Sequence, residues 1–197
     1  MSRNRKKGYS RRGIIKSKSE IDRLFRETFA NNYQGTFAED LNSRAISCYP
    51  NKRYLFEFSA TEKAANARRF MHGGVHGYFI ELAASYCSYF QLMIEGEDYE
   101  GISCVNNHYA LHKRTELGEN LKVEVTPKKL GRNMHFWEVH IIDEKEDLIS
   151  SGDVTLYRFS QKKELPHFRD SIQLWWRNAK DDLLRVRTKL PRHPTGE

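Results

Sequence analysis

Residues 72–94 read HGGVHGYFIELAASYCSYFQLMI, and the rest of the chain is best read outward from them. Projected at about 100° per residue, Val75, Phe79, Leu82, Ala83, Tyr86, Phe90 and Met93 gather on one side. That is the core face of a long helix, opened by Gly73-Gly74 and ended by Gly96, Glu97 and Asp98. Glu81 falls roughly opposite, on a stripe of Gly74, Gly77, Ala84, Ser85 and Ser88. An exposed helix face would more naturally carry Lys, Gln and Arg. Tiny side chains instead permit close approach by another backbone or a narrow ligand. Glu81 is therefore a candidate reactive carboxylate, weighed against the commoner fate of a solvated helix charge.

The glycines at the helix start have a chemical reading of their own. The first N–H groups of a helix lack internal partners and sit at the positive end of its dipole. They can hold an oxyanion or polarise a carbonyl, and glycine lets that carbonyl come close. An ordinary Gly-Gly turn is the competing explanation.

Downstream the pattern changes to strands. Residues 102–111, 120–128, 133–143 and 148–159 are rich in Val, Ile, Tyr, Phe, Trp and Thr. Short separators at Leu117-Gly118-Glu119, Leu130-Gly131-Arg132 and Glu144–Asp147 point to antiparallel hairpins. Upstream, Tyr54, Phe56 and Phe58 alternate as in a strand, and 60–71 reads as a loop or a weak turn of helix. Ile21, Leu24, Phe25 and Thr28 predict a short helix near 20–30, with Ser19 and Asp22 as its capping box. After Pro166, Ile172, Trp175, Trp176, Ala179, Leu183 and Leu184 predict an amphipathic helix near 169–187. One long helix and a run of strands make an antiparallel sheet wrapped on that helix the economical α+β architecture.

Composition bounds the function. With 197 residues, the chain has room for one domain and tails. No apolar run approaches the roughly 20 residues of a membrane helix, so a soluble protein is expected. Cys48, Cys87 and Cys104 form no CxxC pair, and three lone thiols fit a reducing compartment. Of the net charge of +7, residues 1–18 supply +8 and residues 158–197 supply +5, leaving the body at −6. The basic, acid-free arm 1–18, expected to be disordered, suits a mitochondrial presequence, although it is poor in large apolar residues; a mitochondrial or cytoplasmic location is expected. Contact of that arm with nucleic acid or an anionic membrane has no motif to support it. His108, His112, His135 and His140 show no metal-ligand spacing and read as polar strand positions, so no metal is expected.

The segment from Asn66 through His72-Gly73-Gly74 to Val75, with Glu81 nine positions after His72, resembles the HGG motif of the hotdog thioesterase superfamily. The branch is the one holding the phenylacetate-pathway thioesterases and thioesterase superfamily member two. Gly101–Asn107, Leu117-Gly118-Glu119, Leu130-Gly131-Arg132 and Ser151-Gly152-Asp153 resemble its later strands and turns. The match spans residues 54–159, within a hotdog domain expected at 19–160 and followed by a tail at 161–197.

The resemblance implies an acyl-CoA thioesterase acting as a homodimer or homotetramer, with no cofactor. Gly73 N–H would polarise the thioester carbonyl of an acyl-CoA substrate. Glu81 would act as general base on water, or attack directly. His72 and Asn66 would orient the thioester or the water, and Ser103 would hold that water. In this family the turn of one subunit faces the helix acid of the other. The nearer relatives carry Asp where this chain has Glu81, and the extra methylene leaves rate and substrate open. Gly74 and the basic Lys128, Lys129 and Arg132 are the expected substrate contacts, the cations meeting the CoA phosphates unless they belong to a solvated turn. Two other functions fit less well. A hotdog dehydratase or hydratase would join its His to Phe-Pro, and a non-catalytic acyl-CoA sensor or scaffold would not need Asn66, His72, Glu81 and Ser103 together.

Overall fold

A computed structural model describes residues 17–95 and 101–159. The basic arm and the Trp-containing segment near 169–187 lie outside those residues. The elements run α1 (Lys18–Tyr33), α2 (Phe37–Asp40), β1 (Arg44–Tyr49), β2 (Arg53–Ser59), a 3-10 turn at Glu62–Ala64, α3 (Gly73–Glu95), β3 (Gly101–Leu111), β4 (Asn120–Leu130), β5 (Met134–Ile142) and β6 (Leu148–Phe159). The long helix and the four strands after it stand where the periodicity places them.

Six strands form one antiparallel sheet in the order β1-β2-β4-β5-β6-β3. Each central strand alternates. On β5, His135, Trp137, Val139 and Ile141 are buried, and on β4 Leu121, Val123 and Val125 are. These residues meet α3, whose expected core face is buried from Val75 to Met93. A sheet curled on one helix buries one face of each strand, which is why period two survives in the sequence.

The first helix completes the core. Phe25 and Phe29 sit among Tyr54, Phe56, Tyr86 and Phe90 at centroid separations of 5.0–5.7 Å. The Tyr86 hydroxyl donates to the Phe25 carbonyl at 2.6 Å, so the one polar atom of that ring is satisfied inside the cluster.

Several expectations need correction. The capping box uses Ser17 and Glu20, not Ser19 and Asp22, and the helix begins at Lys18. Asp22 is taken elsewhere: its carboxylate accepts the Cys48 backbone N–H at 2.8 Å. Strand β1 has no counterpart among the expected elements, whereas the turn of helix expected in 60–71 is present as the 3-10 turn at Glu62–Ala64. Ser88 and Ala84 are buried rather than lining an open stripe with Glu81. Trp137 Nε1 donates to Ser88 Oγ at 2.6 Å, and Ser88 Oγ lies 3.0 Å from His135 Nδ1. His135 is therefore a core residue, and burial holds its pKa below the ordinary imidazole value.

The two sheet edges differ. Along β1, Arg26 donates to the Ile46 carbonyl at 3.0 Å and Asp22 accepts from Cys48, so α1 occupies that edge. The β3 edge is eleven residues long and carries exposed Val105, Tyr109 and Leu111. A long edge strand bearing exposed apolar side chains is a template for another strand.

Candidate functional site

The start of α3 is held both by its neighbours and by the His72 side chain, which accepts the Gly74 N–H. His72 N–H donates to the Ala64 carbonyl at 2.7 Å, and Met71 N–H donates to the Thr115 carbonyl at 3.0 Å. One turn further, His76 is buried between β6 and the loop after β3. Its Nδ1 lies 3.1 Å from Ser150 Oγ and its Nε2 3.4 Å from Thr115 Oγ1. Burial lowers its pKa to about 4, so the ring is neutral in ordinary buffers. His76 thus joins the turn to the sheet and to the same Thr115 that fixes Met71. Sequence reasoning missed it, although its position four after His72 was available as a signal.

Within the turn the donors are already sorted. Gly74 N–H donates to His72 Nδ1 at 2.9 Å. That bond consumes the Gly74 donor and fixes the neutral imidazole with its proton on Nε2. Gly73, the first residue of the helix, has no carbonyl one turn back to receive its N–H. Two donors are therefore left for a ligand oxygen: Gly73 N–H and His72 Nε2–H. His72 is exposed and Gly73 half-buried.

Asn66 is engaged in shaping the approach. Its Oδ1 accepts from Arg68 N–H at 2.8 Å and from Phe70 N–H at 3.3 Å, closing an Asx turn. Arg69 within that turn has φ +65°, the left-handed region. The loop then returns through Phe70 and Met71 to His72.

Glu81 is exposed on α3, facing edge strand β3. Its neighbour there is Cys104, whose thiol is pushed up by burial first and by the Glu81 charge second. On the other side stands Tyr78, whose phenol is raised by burial and then by the same carboxylate. Ser103 is not brought to Glu81 within the chain. Cys104 pairs with the buried Leu156 and points to the helix, while Ser103 pairs with exposed Tyr157 and points to the opposite face. Cys104 itself is half-buried at the site's rim.

The small residues of α3 serve the strand that flanks the site. A Cβ on Gly73 would lie 2.7 Å from Leu111 Cδ1, and one on Gly77 would lie 2.4 Å from the Tyr109 ring. Glycine at these two positions lets β3 lie directly on the helix. Asn107 Nδ2 completes the seam by donating to the Gly77 carbonyl at 2.9 Å.

The basic hairpin stands apart. Lys128 pairs with Glu138 at 3.3 Å and with Asp153, on the outer face of the sheet. Those two carboxylates raise its pKa, Asp153 more than Glu138. Lys129 and Arg132 are beside it at the hairpin's turn, Lys129 exposed. The sheet separates this hairpin from the α3 turn of the same chain. A shallow hollow of about 380 Å³ also lies on the outer face, lined by Arg44, Glu57, Asn120 and Lys122, and includes no residue of the turn or Glu81.

One distance organises these facts. Gly73 and Glu81 are eight residues apart on a continuous helix, which at 1.5 Å per residue is about 12 Å.

No family model matches the chain, and no curated protein matches it. Solved structures do. A Haemophilus influenzae thioesterase aligns at TM-score 0.60 with 16% identity, covering 77% of this chain and 96% of that one. The Escherichia coli PaaI protein of the phenylacetic acid degradation operon aligns at 0.60 with 13% identity, covering 71% and 96%. A Streptococcus mutans protein bound to acetyl CoA aligns at 0.52 with 14% identity, covering 60% and 90%. The chain has the hotdog fold found in the thioesterase superfamily.

Proposed function

We propose that this protein is an acyl-CoA thioesterase whose reaction centre is completed by a second copy of the chain. The observation that carries the reading is the division of one chemistry along α3. Two donors without a partner among the described residues stand at its start, and a carboxylate stands about 12 Å on along the helix axis, beside a strand edge that no described residue covers. An antiparallel two-fold that joins the β3 edges would bring the turn of each copy to Glu81 of the other. The acetyl CoA held by the Streptococcus mutans protein supports CoA thioesters as the ligand class.

The chemistry needs no group beyond those named. Gly73 N–H and His72 Nε2–H receive the thioester oxygen and strengthen as it becomes an oxyanion. The partner's Glu81 takes a proton from water as the water oxygen bonds the carbonyl carbon. Collapse breaks the carbon–sulfur bond, and the CoA thiolate recovers that proton from the carboxylic acid. Direct attack by Glu81 would give an anhydride instead, which water then opens. Asn66 shapes the turn through its two backbone bonds. Ser103 points to the outer face, so a two-fold that joins the β3 edges keeps it away from the water in both copies. Lys129 and Arg132 are the candidate phosphate contacts, since Lys128 is already paired.

The test is hydrolysis by purified protein across a series of acyl-CoA chain lengths, read as released thiol. Glu81→Gln is expected to fold and to lose on the order of 10²–10⁴ in kcat. A kcat near that of the parent in the folded variant would remove Glu81 from the mechanism.

A further inference from the structure

We propose that His76 is a positioning residue for the oxyanion donors at the start of α3, acting through Thr115 on the turn that precedes Gly73. The proposal rests on the thioesterase reading above and adds the group that fixes where its two donors stand. Eight polar or charged side chains are buried among the described residues, and three of them meet at His76: its own ring, Thr115 and Ser150. None of the three is more than 2% exposed. His76 is three residues along α3 from Gly73, so the cluster lies under the reacting end of the helix. Further along α3, Ser88 and His135 serve the Trp137 indole, and Gln91 accepts the Tyr54 hydroxyl. An apolar trio in place of His76, Thr115 and Ser150 would carry less desolvation cost. A hydrogen-bonded trio adds direction: it admits one arrangement, where apolar contacts can slide.

The links run from this cluster to the donors. His76 Nδ1 ties α3 to Ser150 on β6 at 3.1 Å, and its Nε2 reaches Thr115 Oγ1 at 3.4 Å. The neutral ring gives one hydrogen and takes one, and the two hydroxyls supply the complements. Thr115 then holds the turn through its backbone, its carbonyl accepting the Met71 N–H at 3.0 Å. Met71 is followed directly by His72 and Gly73, the residues that carry the two donors. An oxyanion hole works when its donors stand about 2.7–3.1 Å from the place where the oxyanion forms. A misplacement of about 1 Å can cost on the order of a hundredfold in rate. Loosening the Thr115 link should therefore weaken the transition state more than the bound thioester, lowering kcat with little change in KM.

Paired substitutions in the full-length chain separate positioning from packing. Thr115→Val keeps the volume and the backbone carbonyl and removes the hydroxyl. Thr115→Ser keeps the hydroxyl and removes a methyl. Positioning through the hydroxyl predicts a kcat at least about tenfold lower in the Val variant, with KM within about twofold, and a kcat close to the parent's in the Ser variant. A packing role predicts the opposite order, because a lost buried methyl is then what costs. At His76, Gln sets its amide near the place of Nε2 and Asn sets its amide near the place of Nδ1. His76→Gln should therefore keep more kcat than His76→Asn. Joining His76→Asn to Thr115→Val should cost little beyond either change alone, since both break one link. Amide hydrogen exchange reads that link without hydrolysis: the segment around Met71 should exchange at least about tenfold faster in the Val variant, with β4 and β5 unchanged. A folded Val variant with the parent's kcat, a Ser variant slower than the Val variant, or unchanged exchange at Met71 would each overturn the positioning role. A parent that leaves acyl-CoA intact while Met71 exchange responds to Thr115→Val keeps the link and loses the thioesterase reading. A parent that hydrolyses acyl-CoA with kcat indifferent to Thr115→Val does the reverse.

Discussion

Complementation between two inactive variants tests whether the site is shared. Glu81→Gln removes the proposed base, and Gly73→Pro removes the proposed N–H donor. The structure makes the second variant a reasonable perturbation. Position 73 is the first of the helix, where proline is well tolerated, and Gly73 has no positive φ. The nearest obstacle to its Cβ is Leu111 Cδ1 at 2.7 Å, the end of a half-exposed side chain that can turn away. Each variant alone should lose at least about a hundredfold in kcat. In a mixed dimer, one site collects both lesions and the other neither. A random pool is half mixed, and each mixed dimer has one intact site of two, so activity per chain should return to about one quarter of the parent's in the pool and about one half in isolated mixed dimers. Were both groups to serve one chain's site, each site of a mixed dimer would carry one lesion and no activity would return. The assay is thiol release from acyl-CoA by the co-expressed pair, with two affinity tags used to isolate mixed dimers. Folded mixed dimers that remain inactive would refute the shared site.

Two further predictions concern the buried histidines. Folded His76 titrates near 4 against an ordinary value near 6.5, so the unfolded chain binds the extra proton between those values. Stability should be fully present above pH 6.5 and fall by about 3 kcal/mol as pH drops to 4; urea titrations of His76→Gln should show a clearly flatter loss, and an unchanged pH slope would contradict the burial argument. Ser88→Ala strips partners from Trp137 Nε1 and His135 Nδ1 inside the core, and should cost about 2–4 kcal/mol in denaturant unfolding; a loss below about 1 kcal/mol would mean those bonds are replaced.

Much of the fold was legible because its signals are local. The stripe from Val75 to Met93 and the alternation on β4 and β5 need only neighbours in sequence, and the structure reproduces both. Strand β3 reads almost as well, since Gly101–Leu111 is rich in strand formers; that it is an edge does not. Strand β1 was not legible. Its register shifts between Ala45 and Ser47, so the buried Ala45 and Cys48 fall out of period two. The capping box was misplaced by two residues because Ser17/Glu20 and Ser19/Asp22 share one spacing. Only the approach of Cys48, twenty-six residues on, decides that Asp22 belongs to the β1 edge.

The candidate site divides in the same way. The residue types and the eight-residue interval from Gly73 to Glu81 are properties of the sequence; that the two groups serve different sites was implied only by the family resemblance. Which N–H remains free was not: that follows from the Gly74 bond to His72 Nδ1. Nor was the placement of Ser103 away from Glu81, which depends on pairing between β3 and β6. The fate of the two edges was decided by tertiary structure alone. Helix α1 satisfies β1 with Asp22 and Arg26, while among the described residues β3 is left with exposed apolar side chains and an unpaired Asn107 acceptor. Those outcomes come from contacts between segments far apart in the chain, and a local pattern carries no record of which distant segment will arrive.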